Sequence, residues 1–79
     1  MLKILVADDD AVIRDTVVKY GRREGFEIEQ AENGLQAVEL CEHKVFDIIL
    51  LDIMMPKLDG FSACREIRKL QSAPIIMLS

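Results

Sequence analysis

The chain has 79 residues, of which 51% are hydrophobic, and its formal net charge at pH 7 is −4. This length leaves room for one small domain, and the hydrophobic content is sufficient for a packed core and argues against disorder. The acidic balance argues against a general surface for nucleic acid, no apolar run approaches the ~20 residues that span a bilayer, and the early acidic residues are unlike a signal peptide. We therefore expect a cytoplasmic protein that binds neither nucleic acid nor membrane.

The first strand and the first helix are predicted within residues 2–25. Residues 2–7 (LKILVA) end in a run of four apolar residues, which is typical of a buried strand in a parallel sheet. Asp10 is expected to cap a helix that runs to about residue 24, with Gly25 after it as the C′ residue. Gly21 lies inside this helix, where glycine is less favourable than alanine by up to ~1 kcal/mol, and the sequence gives no packing reason for it. The predicted inner face carries Ile13, Val17 and Tyr20.

Two more strands and a second helix follow. Residues 27–31 (EIEQA) alternate polar and apolar side chains, which indicates a strand at the edge of the sheet. Asn33 and Gly34 indicate a turn, and the helix after it is expected to turn Ala37, Val38, Leu40 and Cys41 inward. Residues 47–51 (DIILL) are almost entirely apolar, so they are predicted as a central strand.

The last part of the chain is predicted to contain a loop, a helix and a fourth strand. The loop covers residues 52–59, the helix begins at Gly60 and ends near residue 70, and the strand covers residues 75–78 after Pro74. Apolar residues expected to face the core here are Phe61, Cys64 and Ile67 on the helix, and Met54, Met55 and Met77 around it. The alternation predicts an α/β fold with a doubly wound parallel sheet, (βα)3β, that has two helices on one face and one on the other.

Acidic residues stand directly after the two most apolar strands. Asp8 and Asp9 follow the first strand, and Asp52 follows the third. If these strands are parallel neighbours, their carboxyl ends meet in the crevice where open α/β sheets bind ligands. Carboxylates forced together repel one another, and a divalent cation is the usual remedy. The sequence therefore predicts an acidic metal site with Asp52 at its centre.

In combination, these motifs resemble the receiver (phospho-acceptor) domain of bacterial two-component response regulators. The segments that carry the resemblance are residues 5–10 (LVADDD), 50–56 (LLDIMMP), 58–61 (LDGF) and 74–79 (PIIMLS). The resemblance extends over the whole chain and implies a flavodoxin-like sheet with strand order 2-1-3-4. It also implies a signalling domain and not an enzyme.

The resemblance implies a role for five residues. Asp52 would accept a phosphoryl group from a phosphohistidine of a histidine kinase, and Ser79 would contact that group as a switch hydroxyl. Mg²⁺ would be held by Asp8, Asp9, Asp52 and the main-chain carbonyl of Met54. An all-oxygen ligand set of this kind is the one that Mg²⁺ prefers.

Members of that family continue beyond the fourth strand with a fifth strand, which carries a lysine, and two further helices. We therefore expect residues 1–79 to be a partial receiver domain with impaired phosphoryl transfer. An open edge of the fourth strand and an uncovered part of the sheet would favour association, so a homodimer through residues 75–78 or through the uncovered sheet face is expected.

Three alternatives stay open. The chain could be a structural or engineered fragment, with an idle acidic site, that self-associates through its open sheet edge. An aspartyl phosphohydrolase is less supported, because that chemistry needs a second carboxylate two residues after the nucleophile and Met54 stands there. A nucleotide-binding domain is less supported still, because no glycine-rich loop follows the first strand.

Overall fold

The computed structural model describes residues 1–78, in which four strands and three helices alternate. The sheet is parallel throughout, in the order β2-β1-β3-β4, so the predicted α/β class and strand order are confirmed. Within the described residues, no helix is long and apolar enough to cross a membrane. The elements are β1 (Lys3–Ala7), α1 (Ala11–Arg23), β2 (Glu27–Ala31), α2 (Gly34–His43), β3 (Ile48–Asp52), α3 (Gly60–Arg68) and β4 (Ile75–Leu78).

The two central strands, β1 and β3, end at the same level of the sheet. Ala7 at the end of β1 is paired with Ala31 of β2 on one side and with Leu51 of β3 on the other. β3 lies one residue later than predicted, because Asp52 still pairs with Leu78 of β4. The carboxyl ends of β1 and β3 therefore lie side by side at the same edge of the sheet, and an acidic residue stands at each of these ends.

The core consists of two layers that lie on opposite faces of the sheet. Side chains of a strand alternate between faces, so Leu5 and Ala7 of β1 point to one layer while Ile4 and Val6 point to the other. The first layer is completed by buried residues of α2 and α3, and the second by Val18 of α1. This division of the helices between the two faces is the one that the sequence predicts.

The inner faces of two helices differ from the prediction. Val18 and Gly21 are the buried residues of α1, and Ala63 is buried in α3 beside Ile67. Interiors are close-packed, so a helix that lies close to a sheet has small residues along the line of contact, and larger ones move to its margins. Three residues that were expected to face inward are exposed: Ile13 (41%), Tyr20 (64%) and Phe61 (55%).

Gly21 has a packing reason that the sequence did not give. A Cβ atom built on Gly21 would lie 2.5 Å from Cδ1 and 2.9 Å from Cγ1 of Ile28. Ile28 belongs to the buried layer under α1. The missing side chain therefore lets α1 approach β2 closely.

Helix ends follow the expected capping chemistry. The carboxylate of Asp10 accepts a hydrogen bond from the backbone N–H of Val12 (2.9 Å), which confirms Asp10 as the N-cap of α1. Gly25, beyond the other end of this helix, has φ of 80°, as expected for a C′ residue. At the end of α2, the side chain of Gln71 donates to the carbonyl oxygens of Lys44 (2.8 Å) and Cys41 (3.3 Å).

Candidate functional site

Three carboxylates meet at the carboxyl edge of the sheet. Asp8 and Asp9 directly follow β1, and Asp52 is the last residue of β3. One oxygen atom of each carboxylate lies within 4.8 Å of those of the other two. Asp8 is buried, Asp52 is half-buried and Asp9 is exposed, so the cluster opens to solvent on the side of Asp9.

Asp8 is fixed by three hydrogen bonds. Its backbone N–H donates to the carbonyl of Ala31 (3.1 Å), which extends the pairing of β1 with β2 by one residue. Its carboxylate accepts a hydrogen bond from the backbone N–H of Asp10 (2.9 Å). Its carbonyl oxygen accepts one from Nη1 of Arg14 (2.6 Å). Because backbone and side chain are both held, the carboxylate has a defined direction in the cluster.

The backbone after Asp52 is held from two sides. The N–H of Ile53 donates to the carbonyl of Leu78 (3.0 Å), and the carbonyl of Ile53 accepts a hydrogen bond from the N–H of Gly60 (2.9 Å). The first contact comes from β4 and the second from the start of α3. Asp52 is therefore presented by a rigid strand end, which limits the directions that its carboxylate can take.

A cleft of about 440 Å³ borders the cluster and is lined by Asp9, Met54, Met55, Pro56 and Asp59. Met55 is 8% exposed and belongs to the core, as predicted. Met54 is 80% exposed, so the prediction that its side chain fills the core is wrong. The chain has left the sheet at this point, and Met54 stands at the solvent side of the cleft.

Burial and charge act together on Asp8. Burial raises the pKa of its carboxyl above the ordinary value, and the charges of Asp52, Asp9 and Asp10 raise it further, while the hydrogen bond from the N–H of Asp10 lowers it.

Asp59, beside the cleft, has a pKa below the ordinary value. The hydrogen bond with the Ser62 side chain is the largest cause, and hydrogen bonds from backbone N–H groups add to it. Asp59 is the N-cap of α3, so its ionised form is the one that the helix end stabilises.

The cluster has the chemistry of a site for a hard divalent cation. All of its side-chain donors are carboxylate oxygens, which Mg²⁺ and Ca²⁺ prefer over nitrogen or sulfur. Burial is the largest cause of the raised pKa of Asp8 and the charges of the neighbouring carboxylates add to it, and a cation in the cluster would offset both effects. The residues present therefore fit a bound Mg²⁺ ion.

Of the predicted site residues, Asp8, Asp9 and Asp52 lie together, and Met54 borders the adjoining cleft. Ser79 lies outside the described residues. Arg14 was not among the predicted site residues; its side chain is 12% exposed and its Nη2 lies 3.8 Å from the carboxylate of Glu32. In the sequence, Arg14 stands one helical turn after the N-cap Asp10. Side chains of a helix tilt toward its N-terminus, which here lies at the end of β1, so this spacing could have indicated the contact.

Comparison with known proteins points to the family that the sequence motifs resemble. The sequence model of the response regulator receiver domain matches residues 4–79. The chain is 48% identical over 77 residues to the transcriptional regulatory protein ResD of Bacillus subtilis (strain 168), a match that covers 98% of this chain and 32% of that protein. The chain thus spans about a third of the length of the curated relatives it matches.

Solved structures of similar fold include the receiver domain of a sensor histidine kinase from Pseudomonas aeruginosa PAO1, which has a magnesium ion in its active-site cleft. It is 36% identical with a TM-score of 0.92, and the match covers 99% of this chain and 66% of that one. A response regulator from Burkholderia pseudomallei, with a phosphorylated aspartic acid and a calcium ion, is 28% identical with a TM-score of 0.90, over 98% of this chain and 46% of that one. Because the family model matches residues 4–79 and the fold matches solved receiver domains, the chain belongs to the response regulator receiver domain family, the signalling domain of two-component systems.

Proposed function

We propose that Asp52 of this chain accepts a phosphoryl group from the phosphohistidine of a histidine kinase. In this proposal Mg²⁺ is the cofactor and is held by Asp8, Asp9, Asp52 and the main-chain carbonyl of Met54. The observation that carries the proposal is the meeting of three carboxylates within 4.8 Å at the carboxyl edge of the sheet. The chain then acts as a phospho-acceptor in signalling and has no substrate of its own to turn over.

In the transfer step, a carboxylate oxygen of Asp52 attacks phosphorus as the P–N bond to the imidazole breaks. The imidazole leaves with the bonding electron pair and takes up a proton. Because the leaving group is already good, the chain has to align Asp52, and the contacts on both sides of Ile53 supply that alignment. When bound, Mg²⁺ supplies positive charge for phosphoryl oxygens that enter a cluster of carboxylates.

Thermal unfolding with and without millimolar Mg²⁺ tests the metal site. A cation that binds only the folded chain raises the free energy of unfolding by about 2.7 kcal/mol at a concentration 100-fold above its dissociation constant. We expect this rise in the parent and none in Asp9→Ala. Asp10→Asn is the matched control, because asparagine keeps the N-cap while an acidic charge next to the cluster is removed. Equal responses in the parent and Asp9→Ala would contradict the site.

Intact-mass measurement after incubation with phosphoramidate and Mg²⁺ tests the acceptor. Phosphoramidate has the same P–N bond as phosphohistidine. We expect one added phosphoryl group in the parent, at a slow rate because transfer is expected to be impaired in residues 1–79, and none in Asp52→Asn. A parent that binds Mg²⁺ and stays unmodified would contradict the acceptor role for this chain while leaving the metal site standing.

Self-association is the second part of the proposal. Within the described residues, β4 pairs only with β3, and Ile76 on this edge strand is 52% exposed. An edge of this kind is a template for pairing with another strand, so we propose a two-fold homodimer through β4 or the sheet face beside it. The same observation supports the alternative of a structural fragment with an idle acidic site. A stabilising response to Mg²⁺ would exclude that alternative.

Other expectations from the sequence stay predictions. They are the cytoplasmic location, the lack of nucleic-acid and membrane binding, and the assignment of residues 1–79 to part of a longer receiver domain. The last is supported by the share of the solved receiver domain that the chain covers, which is 66%.

A further inference from the structure

A groove of about 590 Å³ is lined by residues of α2, of α3 and of the loop before α3. We call it the α2–α3 groove and define it by Leu35, Val38, Glu39, Glu42, Leu58 and Glu66. None of its residues belongs to the carboxylate cluster or to the cleft beside Asp9. It is therefore a separate surface feature.

The floor of the groove is apolar and fixed. Val38 and Leu58 are partly buried and pack against the core, and Leu35 is 51% exposed. A Cβ atom built on Gly34 would lie 2.0 Å from the carbonyl oxygen of Leu58, so the start of α2 is in close contact with the loop that carries Leu58. Glycine at this position lets the two sides of the floor meet, which makes the groove preformed.

The rim of the groove is acidic. Glu39, Glu42 and Glu66 line it and all three are exposed. Glu66 forms an ion pair with Lys69 (3.1 Å), whereas in residues 1–78 neither Glu39 nor Glu42 has an ion-pair partner. An apolar floor bordered by three carboxylates, two of them without an ion-pair partner in residues 1–78, is complementary to an apolar surface flanked by cations.

The acidic residues of α2 are also unfavourable for the helix that carries them. Glu39 and Glu42 are three residues apart, where like charges destabilise a helix. Glu42 lies in the last turn of α2, where the helix dipole favours a cation, and His43 is the basic residue there. A cationic partner would relieve both effects.

We propose that the α2–α3 groove docks a cationic amphipathic helix of a partner protein. Its apolar side chains cover Leu35, Val38 and Leu58, and its lysine or arginine side chains approach the three glutamates of the rim. An amphipathic helix commonly lays its apolar face into an apolar groove. A second copy of this chain is the weaker occupant, because its net charge of −4 opposes approach to an acidic rim.

Fluorescence anisotropy with a fluorescein-labelled helix of leucine and lysine, amphipathic in pattern, tests the proposal. We expect the parent to bind this probe and not the corresponding helix of leucine and glutamate. Glu39→Gln with Glu42→Gln removes charge while keeping side-chain shape, and we expect binding to weaken by about tenfold because two charge contacts are lost. Leu35→Ser, at a half-exposed position that the core does not need, is expected to weaken it as well.

The matched control is Asp15→Asn with Glu27→Gln, which changes the charge equally at exposed positions on α1 and β2. It should change the dissociation constant by less than about twofold. Equal weakening in both double variants would mean general attraction to an acidic protein and would overturn the proposal. So would the absence of probe binding by the parent, or rim variants that dissociate a homodimer and leave probe binding unchanged.

Discussion

Asp8 is a buried carboxylate whose neighbours in the cluster are also carboxylates. Its pKa is raised, first by burial and then by those charges, so the folded chain holds the Asp8 proton more tightly than the unfolded chain does. By proton linkage, the metal-free chain therefore becomes more stable as the pH falls through the pKa of folded Asp8, which lies above the ordinary value of 3.8. Protons and Mg²⁺ compete for the same oxygens, so Mg²⁺ affinity should decrease as the pH falls through that range.

Replacing Asp8 by asparagine should separate repulsion from metal binding. Asparagine keeps an oxygen that can accept the hydrogen bond from Asp10 while one negative charge leaves the cluster. We expect the free energy of unfolding without metal to increase by about 1 kcal/mol, which is ~4–8 °C in melting temperature for a domain this small. The Mg²⁺-dependent rise should disappear. Asp15→Asn on the exposed side of α1 is the control, and a destabilised Asp8→Asn would contradict the repulsion.

Arg14 should act as a positioning residue for Asp8. Its guanidinium donates to the Asp8 carbonyl at 2.6 Å and faces Glu32 of the β2–α2 loop, so it joins two loops at the acidic edge. We expect Arg14→Met to weaken Mg²⁺ affinity severalfold and to destabilise the fold by about 1 kcal/mol. Arg22→Met on the exposed end of α1 should change neither quantity. Isothermal titration measures the affinity, and an unchanged value in Arg14→Met would show that Asp8 needs no such support.

At the scale of elements, the sequence predicted strands better than helix faces. Each central strand was marked by an apolar run that ends at an acidic residue, and the carboxylate cluster followed from placing two such runs side by side. The inner face of α1 was predicted only in part: Val17 packs against the core as expected, but Gly21, at the line of closest contact, carries no hydrophobic signal. The hydrogen bonds of Gln71 were missed because they join residues that only the tertiary fold brings together, whereas that of Arg14 spans six residues and was missed because the direction of its side chain was not considered.

The contact between α1 and β2 gives a prediction at this scale. Gly21→Ala gains helix propensity of up to ~1 kcal/mol but places a methyl group against Ile28. Ile28→Val removes the Cδ1 atom that lies 2.5 Å from the new Cβ. Chemical denaturation of the two single variants and the double variant should therefore give a favourable coupling energy of about 1 kcal/mol. Additive effects would mean that Ile28 moves aside without strain.

At the scale of the whole molecule, the proposed homodimer depends on the edge of β4 that has no neighbouring strand within residues 1–78. Ile76 is 52% exposed there, and a lysine at an edge strand is a common protection against strand pairing. We expect Ile76→Lys to shift the chain from dimer to monomer in sedimentation velocity at micromolar concentration. Val45→Lys changes an apolar residue that is 74% exposed in the loop before β3 and should leave the dimer intact. A parent that is monomeric at the same concentration would contradict the dimer.

The strand order also determines when the acidic cluster can exist during folding. Asp8 and Asp9 directly follow β1, which is synthesised before the other described strands, whereas its neighbour β3 ends only at Asp52. Pairs of strands so distant in sequence form slowly, because a long loop has to close before they gain any contact. The carboxylates therefore come together only when β3 docks beside β1, and the repulsion among them opposes that step. If β3 docks after the rate-limiting barrier, Mg²⁺ should lower the unfolding rate more than it raises the folding rate when both rates are measured with and without the ion.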